Sequence, residues 1–254
     1  MGLKTIRDDA LEVYIYFLRN QAMDKITQIA EEILEQLEIQ DVFAVDIGGK
    51  TINIAESVVV SWIVIGIVLI LCLILTTGLR VNNISRRQAL AEWLVEKGEG
   101  LVGGMVGEEG HEYIPYLLTV LIFIGLSNCI GLLGFKPPTK DLNVTAALAI
   151  MSIILVQAAS IRKKRVGGWL KSFTQPVALV TPINILELGI KPLSLCMRLF
   201  GNVLGAFVIM ELLKSVVPLG LPAVFSLYFD LFDGFLQAYV FVFLTGMYIK
   251  EALE

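Results

Sequence analysis

The sequence has little of what a water-soluble enzyme or a nucleic-acid-binding protein needs. Charged residues make up 17% of the 254 residues and there is one histidine, whereas soluble domains average about 25% charged residues. The 20 lysines and arginines are outnumbered by 24 acidic residues, so there is no cationic footprint for nucleic acid. The first 25 residues contain no hydrophobic stretch of signal-peptide length, so no cleavable signal peptide is expected.

The chain also has few cysteines, and their positions exclude a disulfide framework. Cys72, Cys129 and Cys196 are odd in number, and each lies within an apolar stretch. Cysteine in such a context behaves as a small hydrophobic residue. We therefore expect three free thiols and no disulfide.

What the sequence has in excess is hydrophobicity: 56% of the residues are hydrophobic and the mean hydropathy is +0.76. Residues 57–79, 113–135 and 142–161 form three uncharged windows. About twenty apolar residues cross a bilayer core as a helix, and backbone hydrogen bonding in hydrocarbon favours that helix strongly. A polar segment, residues 1–56, precedes these windows and carries eleven acidic and five basic residues.

Two further long apolar stretches, at about 172–214 and 220–250, are interrupted by charges. Glu187, Lys191 and Arg198 interrupt the first, and Asp230 and Asp233 interrupt the second. A charge at bilayer depth costs at least about 2.5–3.5 kcal/mol, so these side chains should face protein or water rather than lipid. The alternative is that they lie at helix ends and reach the membrane surface.

The positions of the basic residues predict the orientation in the membrane. Basic residues cluster in the loops after the first and third windows, for example at Arg86–Arg87 and at 162–165, and such loops face the cytoplasm. Residues 1–56 are then outside and the C-terminus is cytoplasmic. A further cytoplasmic helix is expected at about 86–106. We interpret the glycines between 98 and 110 as a broken connection, with close helix packing as the alternative.

One helical face in the fourth stretch combines a charge pair with an arginine. Glu187, Lys191, Arg198 and Asn202 fall within about 60° of one another at 100° per residue. Glu187 and Lys191 are spaced to form an i, i+4 ion pair. A guanidinium does not lose its charge by giving up a proton, so Arg198 needs an anion, water or a carboxylate as a partner. A structural ion pair is the alternative to a functional role.

The fifth stretch carries a second polar stripe. Asp230, Asp233 and Gln237 are spaced at i, i+3 and i+7 on an otherwise apolar helix. Such a stripe can line a narrow aqueous path for ions. The alternative is a polar contact with a neighbouring helix.

Three motifs resemble the subunit a family of the F-type ATP synthases in its bacterial form. They are Arg-Leu-Phe-Gly-Asn at 198–202 preceded by Lys-Pro-Leu-Ser-Leu at 191–195, Pro-Thr-Lys-Asp-Leu-Asn-Val-Thr at 138–145, and Leu-Gln-Ala-Tyr-Val-Phe at 236–241. The resemblance covers about residues 57–250 and leaves the N-terminal segment uncovered.

The resemblance implies an all-α polytopic membrane protein of five to six helices. The membrane domain would be 57–254, with helices at about 57–80, 113–135, 142–161, 172–214 and 220–250, the last two long and strongly tilted along a rotor ring. The implied function is a stator ion channel with two half-channels for H⁺ or Na⁺. The implied partners are the ring of c subunits with mid-membrane carboxylates, the b-type peripheral stalk, the rest of the complex and the lipid bilayer of a bacterial plasma membrane. No catalytic site, metal or cofactor is implied.

The resemblance also suggests which residues line the ion path. It implies that Arg198 separates the half-channels and that Asn202 and Gln237 support it. Many members have a glutamate nine residues after the arginine, where this chain has Phe207, so the outer-channel acid must be another residue. The candidate ion-translocation residues are Arg198, Asn202, Gln237, Asp230, Asp233, Glu187, Lys191 and Glu211.

A second interpretation is a small ion-coupled secondary transporter with a substrate site between broken helices. That class is built from internal repeats, and the two halves of this sequence do not resemble each other. The sequence therefore favours the stator subunit.

Overall fold

The fold is seen in a computed structural model that describes residues 41–47, 50–80, 85–174, 178–216 and 220–254, with the isolated positions 23, 27, 28 and 31. The expectations for residues 1–40 lie almost entirely outside the described residues. The helices and strands in chain order are β1 (Asp41–Ile47), β2 (Lys50–Ala55), α1 (Glu56–Thr76), α2 (Arg86–Val106), α3 (Ile114–Cys129), α4 (Leu142–Ser172), α5 (Thr181–Val216), α6 (Leu221–Ser226) and α7 (Gly234–Leu253).

Short helical segments of other geometry connect these elements. Segments of 3₁₀ helix lie at Glu108–Tyr113, Ile130–Leu133, Pro138–Lys140 and Ala178–Val180. A π-helix, Leu227–Asp233, joins α6 to α7 without a break. Five helical stretches are long and apolar enough to cross a membrane: Glu56–Thr76, Glu108–Leu133, Leu142–Ser172, Thr181–Ser215 and Val224–Leu253. The predicted all-α polytopic fold is therefore confirmed.

The boundaries differ from the expected ones mainly at the fourth stretch. The sequence suggested a helix from about residue 172, whereas α5 begins at Thr181. Pro182 occupies its first turn, where a missing backbone N–H is tolerated. The predicted helix at 86–106 is present as α2, with Ser85 as its N-cap.

A β-hairpin that the sequence analysis did not predict precedes the first membrane helix. β1 and β2 pair antiparallel, with Ile47 opposite Lys50 and Val45 opposite Ile52. Gly48 and Gly49 separate the two strands in the sequence, and a glycine pair between runs rich in branched residues is typical of tight hairpins. The hairpin therefore delivers the chain directly into α1.

The core lies where α7 packs against α3, α2 and α4. Buried side chains from three of these helices include Val102, Leu117, Ile124, Val242 and Ile249. α1 lies at the edge of the bundle, since Val60 and Val64 are its two buried residues. Its other apolar side chains face outward, as expected for a helix in lipid.

The interpretation of the glycines at 98–110 as a broken connection is wrong for most of them. α2 runs unbroken through Gly98, Gly100, Gly103 and Gly104 and ends at Gly107, whose φ is 75°. A Cβ atom on Gly98 would lie 2.7 Å from Cδ2 of Leu118. The alternative is correct there, because the glycine permits close approach of α2 and α3.

α4 contains a sharp break after its membrane-length portion. Arg165 has φ 59° and ψ 166°, a conformation that costs energy in a residue with a side chain. After the break, Nε1 of Trp169 donates a 2.8 Å hydrogen bond to Oε1 of Gln157. The residues after Arg165 therefore fold back toward the preceding helix.

Candidate functional site

Arg198 and Asn202 lie on an exposed face of α5. Both side chains are exposed, whereas Leu195 and Leu199 on the same helix are 1% exposed. Among the described residues, no carboxylate lies within 4.0 Å of the Arg198 guanidinium. The structural ion pair considered for Arg198 is therefore not formed within the described part of the chain.

The other two members of that predicted face form a charge network with the end of α7. Nζ of Lys191 lies 3.5 Å from Glu187, which confirms the i, i+4 pair. The same Nζ donates hydrogen bonds of 3.0 and 2.9 Å to both carboxylate oxygens of Glu251. It also lies 5.1 Å from the centre of the Tyr248 ring. The network joins the first half of α5 to the last turn of α7.

The second polar stripe lies on and just after the π-helix. Asp230 and Asp233 belong to it, and the N–H of Gly234 bonds to the carbonyl of Phe229, five residues earlier. π-Helical turns are rare and occur frequently at functional sites. Gln237 follows on α7, where it is buried and donates a 3.3 Å hydrogen bond to Oδ1 of Asp233.

A cavity of about 520 Å³ brings the acids of α5 and the π-helix together. Its walls come from α5, the π-helix and the connection between α3 and α4. The chemically active lining residues are Asn128, Lys136, Lys140, Glu211, Lys214, Ser226, Asp230 and Asp233. Phe207 also lines the cavity, whereas Arg198, Asn202, Gln237, Glu187 and Lys191 do not. The structure thus separates the predicted residues into a cavity group and a group along α5, with Gln237 buried on α7 and in neither group.

Asn128 fixes the geometry of the cavity floor. Its Nδ2 donates a 3.0 Å hydrogen bond to the carbonyl of Gly234, and Thr139 Oγ1 donates a 2.6 Å hydrogen bond to its Oδ1. A Cβ atom on Gly131 would lie 3.0 Å from Oδ1 of Asp230. A glycine is therefore needed at 131 if the Asp230 carboxylate is to keep its position.

Lys140 lies on the cavity wall against an aromatic ring. Its Nζ is 3.3 Å from the centre of the Phe207 ring, a favourable position for an ammonium group. Burial and the nearby charge of Lys136 lower the pKa of Lys140 to about 8, opposed by Glu211 and Glu56. Lys140 therefore changes charge within the physiological range of pH.

The sequence analysis missed Asn128, Lys136, Lys140 and Lys214 as cavity residues, and Thr139 as the hydrogen-bond partner of Asn128. Thr139 and Lys140 belong to the motif at 138–145, in which the sequence analysis identified no site residue. Asn128 is an isolated amide in an apolar helix, and an uncompensated buried amide is costly. The cost of burying an unpaired amide was therefore the indication in the sequence that Asn128 has a hydrogen-bond partner.

The fold and the cavity define a class of protein. It is a polytopic helical membrane protein with an arginine that has no acidic partner among the described residues, and with a cavity lined by acids and lysines. Comparison with known proteins identifies the family. Residues 58–250 match the family described as ATP synthase A chain.

Three relatives show how far the similarity extends. The "ATP synthase subunit a" of Moorella thermoacetica is 38% identical over 202 residues, which cover 79% of this chain and 91% of the relative. The chloroplastic "ATP synthase subunit a" of Oedogonium cardiacum is 36% identical over 211 residues, covering 78% and 82%. "ATP synthase subunit a 2" of Acaryochloris marina is 32% identical over 204 residues, covering 80% and 87%.

The chain belongs to the ATP synthase subunit a family. It is therefore a non-catalytic, multi-pass stator subunit of the membrane sector and part of an ATP synthase complex. The resemblance found in the sequence is confirmed. The secondary-transporter interpretation is set aside, because the family match covers nearly the whole membrane region.

Proposed function

We propose that this chain supplies two half-channels and a separating arginine that couple the flow of H⁺ or Na⁺ to rotation of a ring of c subunits. The observation that supports the proposal most directly is the environment of the Arg198 side chain. Its side chain is exposed on α5 and, within the described ranges, has no acidic partner. A guanidinium cannot shed its charge in an apolar environment, so its counter-ion must come from outside the chain.

A mid-membrane carboxylate on each passing rotor subunit is the proposed counter-ion. Arg198 favours the ionised form of that carboxylate, so the bound ion leaves on one side of the arginine and a new ion binds on the other. The positive charge also repels cations that would leak directly between the half-channels. Asn202, one helical turn further along the same exposed face, supports the ring-facing surface.

The cavity lined by Asp230 is the proposed outer half-channel. Asp230 and Asp233 present carboxylates to it, and Glu211 reaches it from α5 one turn after Phe207. Glu211 and Asp230 together take the place of the family glutamate that Phe207 replaces. Gln237 acts on this path indirectly, because it is buried and holds Asp233 by a hydrogen bond.

The charge network of Glu187 and Lys191 is proposed to lie toward the inner half-channel. It contacts Glu251 near the C-terminus, which the basic loops place in the cytoplasm. We further propose that residues 1–56, including the hairpin, lie outside a bacterial plasma membrane, that residues 57–254 form the membrane domain, and that the last two long helices tilt along the ring. The rotor ring and a b-type peripheral stalk are the proposed direct partners.

ATP-driven ion uptake into vesicles that contain the whole complex tests the proposal. The Arg198→Ala variant should lose pumping while the complex assembles and its catalytic head still hydrolyses ATP. Uptake is measured with and without sodium, because sodium dependence identifies the ion. Undiminished pumping by Arg198→Ala would overturn the proposal.

A second arginine provides the matched control. Arg162 is also exposed, but it pairs with Glu112 at 2.9 Å and lies at the far end of α4 from the cavity. Arg162→Ala should pump at the native rate. Asp230→Asn tests the outer path separately and should abolish pumping, since an amide cannot accept a proton.

A further inference from the structure

The end of α4 leaves the bilayer core and turns back on itself. The uncharged window 142–161 has twenty residues, enough for one crossing, so the charged residues that follow it reach the level of the lipid headgroups. The backbone changes direction at Arg165. A straight helix would separate the Cα atoms of Gln157 and Trp169 by about 18 Å, yet their side chains share a hydrogen bond. We call residues 165–173 the α4 hook.

The α4 hook is fixed to the helices on both sides of it. Besides the bond from Trp169 to Gln157 in the first part of α4, the rings of Trp169 and Phe173 meet edge to face with their centres 5.0 Å apart. The backbone carbonyl of Phe173 accepts a 2.9 Å hydrogen bond from Nδ2 of Asn184 on α5. The α4 hook is therefore a defined structure that links α4 to α5.

The α4 hook has an apolar face. At 100° per residue, Val166, Trp169, Leu170 and Phe173 fall within an arc of about 100°, and Lys171 lies on the other side. Val166 and Leu170 are 59% and 58% exposed. A short helical segment with an apolar face, a tryptophan and basic residues is typical of a segment that lies in the surface of a membrane.

Basic residues surround the break at the start of the α4 hook. Residues 162–171 contain five basic residues and no acidic one. Two of the five are paired, Arg162 with Glu112 and Lys163 with Glu109. Within the described part of the chain, no carboxylate lies within 4.0 Å of the other three. These three are Lys164, Arg165 and Lys171.

We propose that the α4 hook binds an anionic phospholipid of the cytoplasmic leaflet, whose headgroup phosphate is held by Lys164, Arg165 and Lys171. The acyl chains would lie against the exposed side chains of Val166 and Leu170. The site is outside the proposed ion path and depends on the proposed function only for the choice of leaflet, which follows from the orientation of the basic loops.

The two parts of the site together favour a lipid over a soluble anion. A free phosphate would use the three cations and leave the apolar face uncovered, whereas a phospholipid satisfies both. The side chain of Lys164 begins beside the α4 hook, since a Cβ atom on Gly168 would lie 3.2 Å from Cβ of Lys164. Basic residues at this depth are attracted to the anionic lipids of the cytoplasmic leaflet.

A bound lipid would also hold the start of α5. The α4 hook is hydrogen-bonded to Asn184, in the first turns of α5, and the same helix carries Arg198. The lipid would therefore help to set the depth at which α5 begins in the membrane.

Photolabelling of the whole complex in phosphatidylcholine vesicles tests the proposal. The vesicles contain a trace of lipid with a photoactivatable acyl chain and either a phosphatidylglycerol or a phosphatidylcholine headgroup. Chymotryptic peptides that cover the α4 hook are quantified by mass spectrometry, because substitutions of lysine and arginine leave these cleavage sites intact. The native chain should be labelled about five- to tenfold more by phosphatidylglycerol. Equal labelling of the native α4 hook by the two lipids would overturn the proposal, including the case in which another subunit covers it.

Three sets of substitutions separate a specific site from general charge. Lys164→Gln, Arg165→Gln and Lys171→Gln in one chain should abolish the preference, whereas Lys164→Arg with Lys171→Arg should keep it. Arg86→Gln, Arg87→Gln and Lys97→Gln remove the same number of exposed charges from α2. This α2 variant should retain the preference at the α4 hook. If it loses the preference as fully as the first variant, the attraction is a property of the whole surface and the proposal fails.

Two further measurements identify the source of the phosphate and the relation to ion transport. Glycerol phosphate, added in place of chloride at constant ionic strength, should leave the labelling unchanged. If it removes the preference for phosphatidylglycerol, the three cations bind a soluble anion and the lipid site is refuted. Arg198→Ala should keep the lipid preference while it loses pumping, so failure of the lipid site and failure of the proposed function are distinguishable.

Discussion

The side-chain amide of Asn128 donates a 3.0 Å hydrogen bond to the backbone carbonyl of Gly234, 106 residues later in the chain. Gly234 is the first residue after the π-helix, and Asn128 is near the end of α3. Thr139 donates to the same amide from the loop before α4. One buried side chain thus fixes the relative positions of three elements that surround the Asp230 cavity.

Asn128→Ala should destabilise the protein substantially. The change leaves the Gly234 carbonyl and the Thr139 hydroxyl without this partner in a buried environment, which costs about 1–3 kcal/mol for each unsatisfied group. Thermal unfolding of the purified complex measures the effect. The signal recorded is the loss of this subunit from the membrane sector.

Ser127 provides the matched control for that variant. It is adjacent and fully buried, yet its hydroxyl is the one buried side-chain oxygen or nitrogen without a hydrogen-bond partner among the described residues. Ser127→Ala should therefore leave stability unchanged or raise it. If the two variants lose equal amounts of stability, steric packing and not hydrogen bonding explains the contribution of Asn128.

Gly131→Ala should impair ion transport without unfolding the chain. The new methyl group would lie 3.0 Å from Oδ1 and 3.2 Å from Cγ of Asp230, so the carboxylate must move. We expect ATP-driven pumping to fall at least several-fold while assembly is retained. Gly66→Ala is the control, because a Cβ there meets nothing within 4 Å. Normal pumping by Gly131→Ala would show that the exact position of Asp230 is unimportant.

The ion pairs of Lys191 should contribute unequally to stability. Glu251 accepts two hydrogen bonds of 2.9–3.0 Å from Lys191, whereas Glu187 lies at 3.5 Å. Both carboxylates are at least half exposed, so each pair is worth about 0.2–1 kcal/mol at low salt. Thermal unfolding should show a larger loss for Glu251→Gln than for Glu187→Gln. The difference in stability between the two variants should shrink at high salt. A larger loss for Glu187→Gln than for Glu251→Gln would contradict the geometry.

The stability of the native chain should rise with pH above about 8 because of Lys140. Its pKa is lowered in the folded state from 10.5 to about 8, so between these values the unfolded chain binds more protons than the folded one. Stability then increases with pH in this window, and the cost of the buried charge is fully present below pH 8. Lys140→Met should lack this rise, whereas Lys171→Met should keep it. Chemical unfolding at a series of pH values is the measurement.

The sequence was sufficient to predict those features that depend on a single helix. The three uncharged windows became membrane-length helices, and the i, i+4 pair of Glu187 and Lys191 formed as expected. The glycines of α2 were misread because glycine is a weak helix former. The role of Gly98 in packing against α3 becomes visible only when the neighbouring helix is present.

The cavity could not have been predicted from the sequence, because its walls are brought together by long-range contacts. Lys140 and Phe207 are 67 positions apart in the chain, and neither the cation–π contact nor the shift in the pKa of Lys140 has a local pattern. The stripe of Asp230, Asp233 and Gln237 was assigned by ordinary helical periodicity. The π-helix at Leu227–Asp233 changes that periodicity, and Gln237, on the regular helix that follows, does not line the cavity.

The wide turn at Leu227–Asp233 has a consequence for how this segment can change in evolution. A π-turn is an α-helix with one residue inserted, and each residue corresponds to a rotation of about 100°. Deleting a single codon here would restore a regular α-helix. Every side chain before the deletion, including that of Asp230, would then rotate away from the cavity relative to α7. The insertion or loss of one residue therefore changes the direction of a proton-binding side chain, while every residue of α7 stays the same.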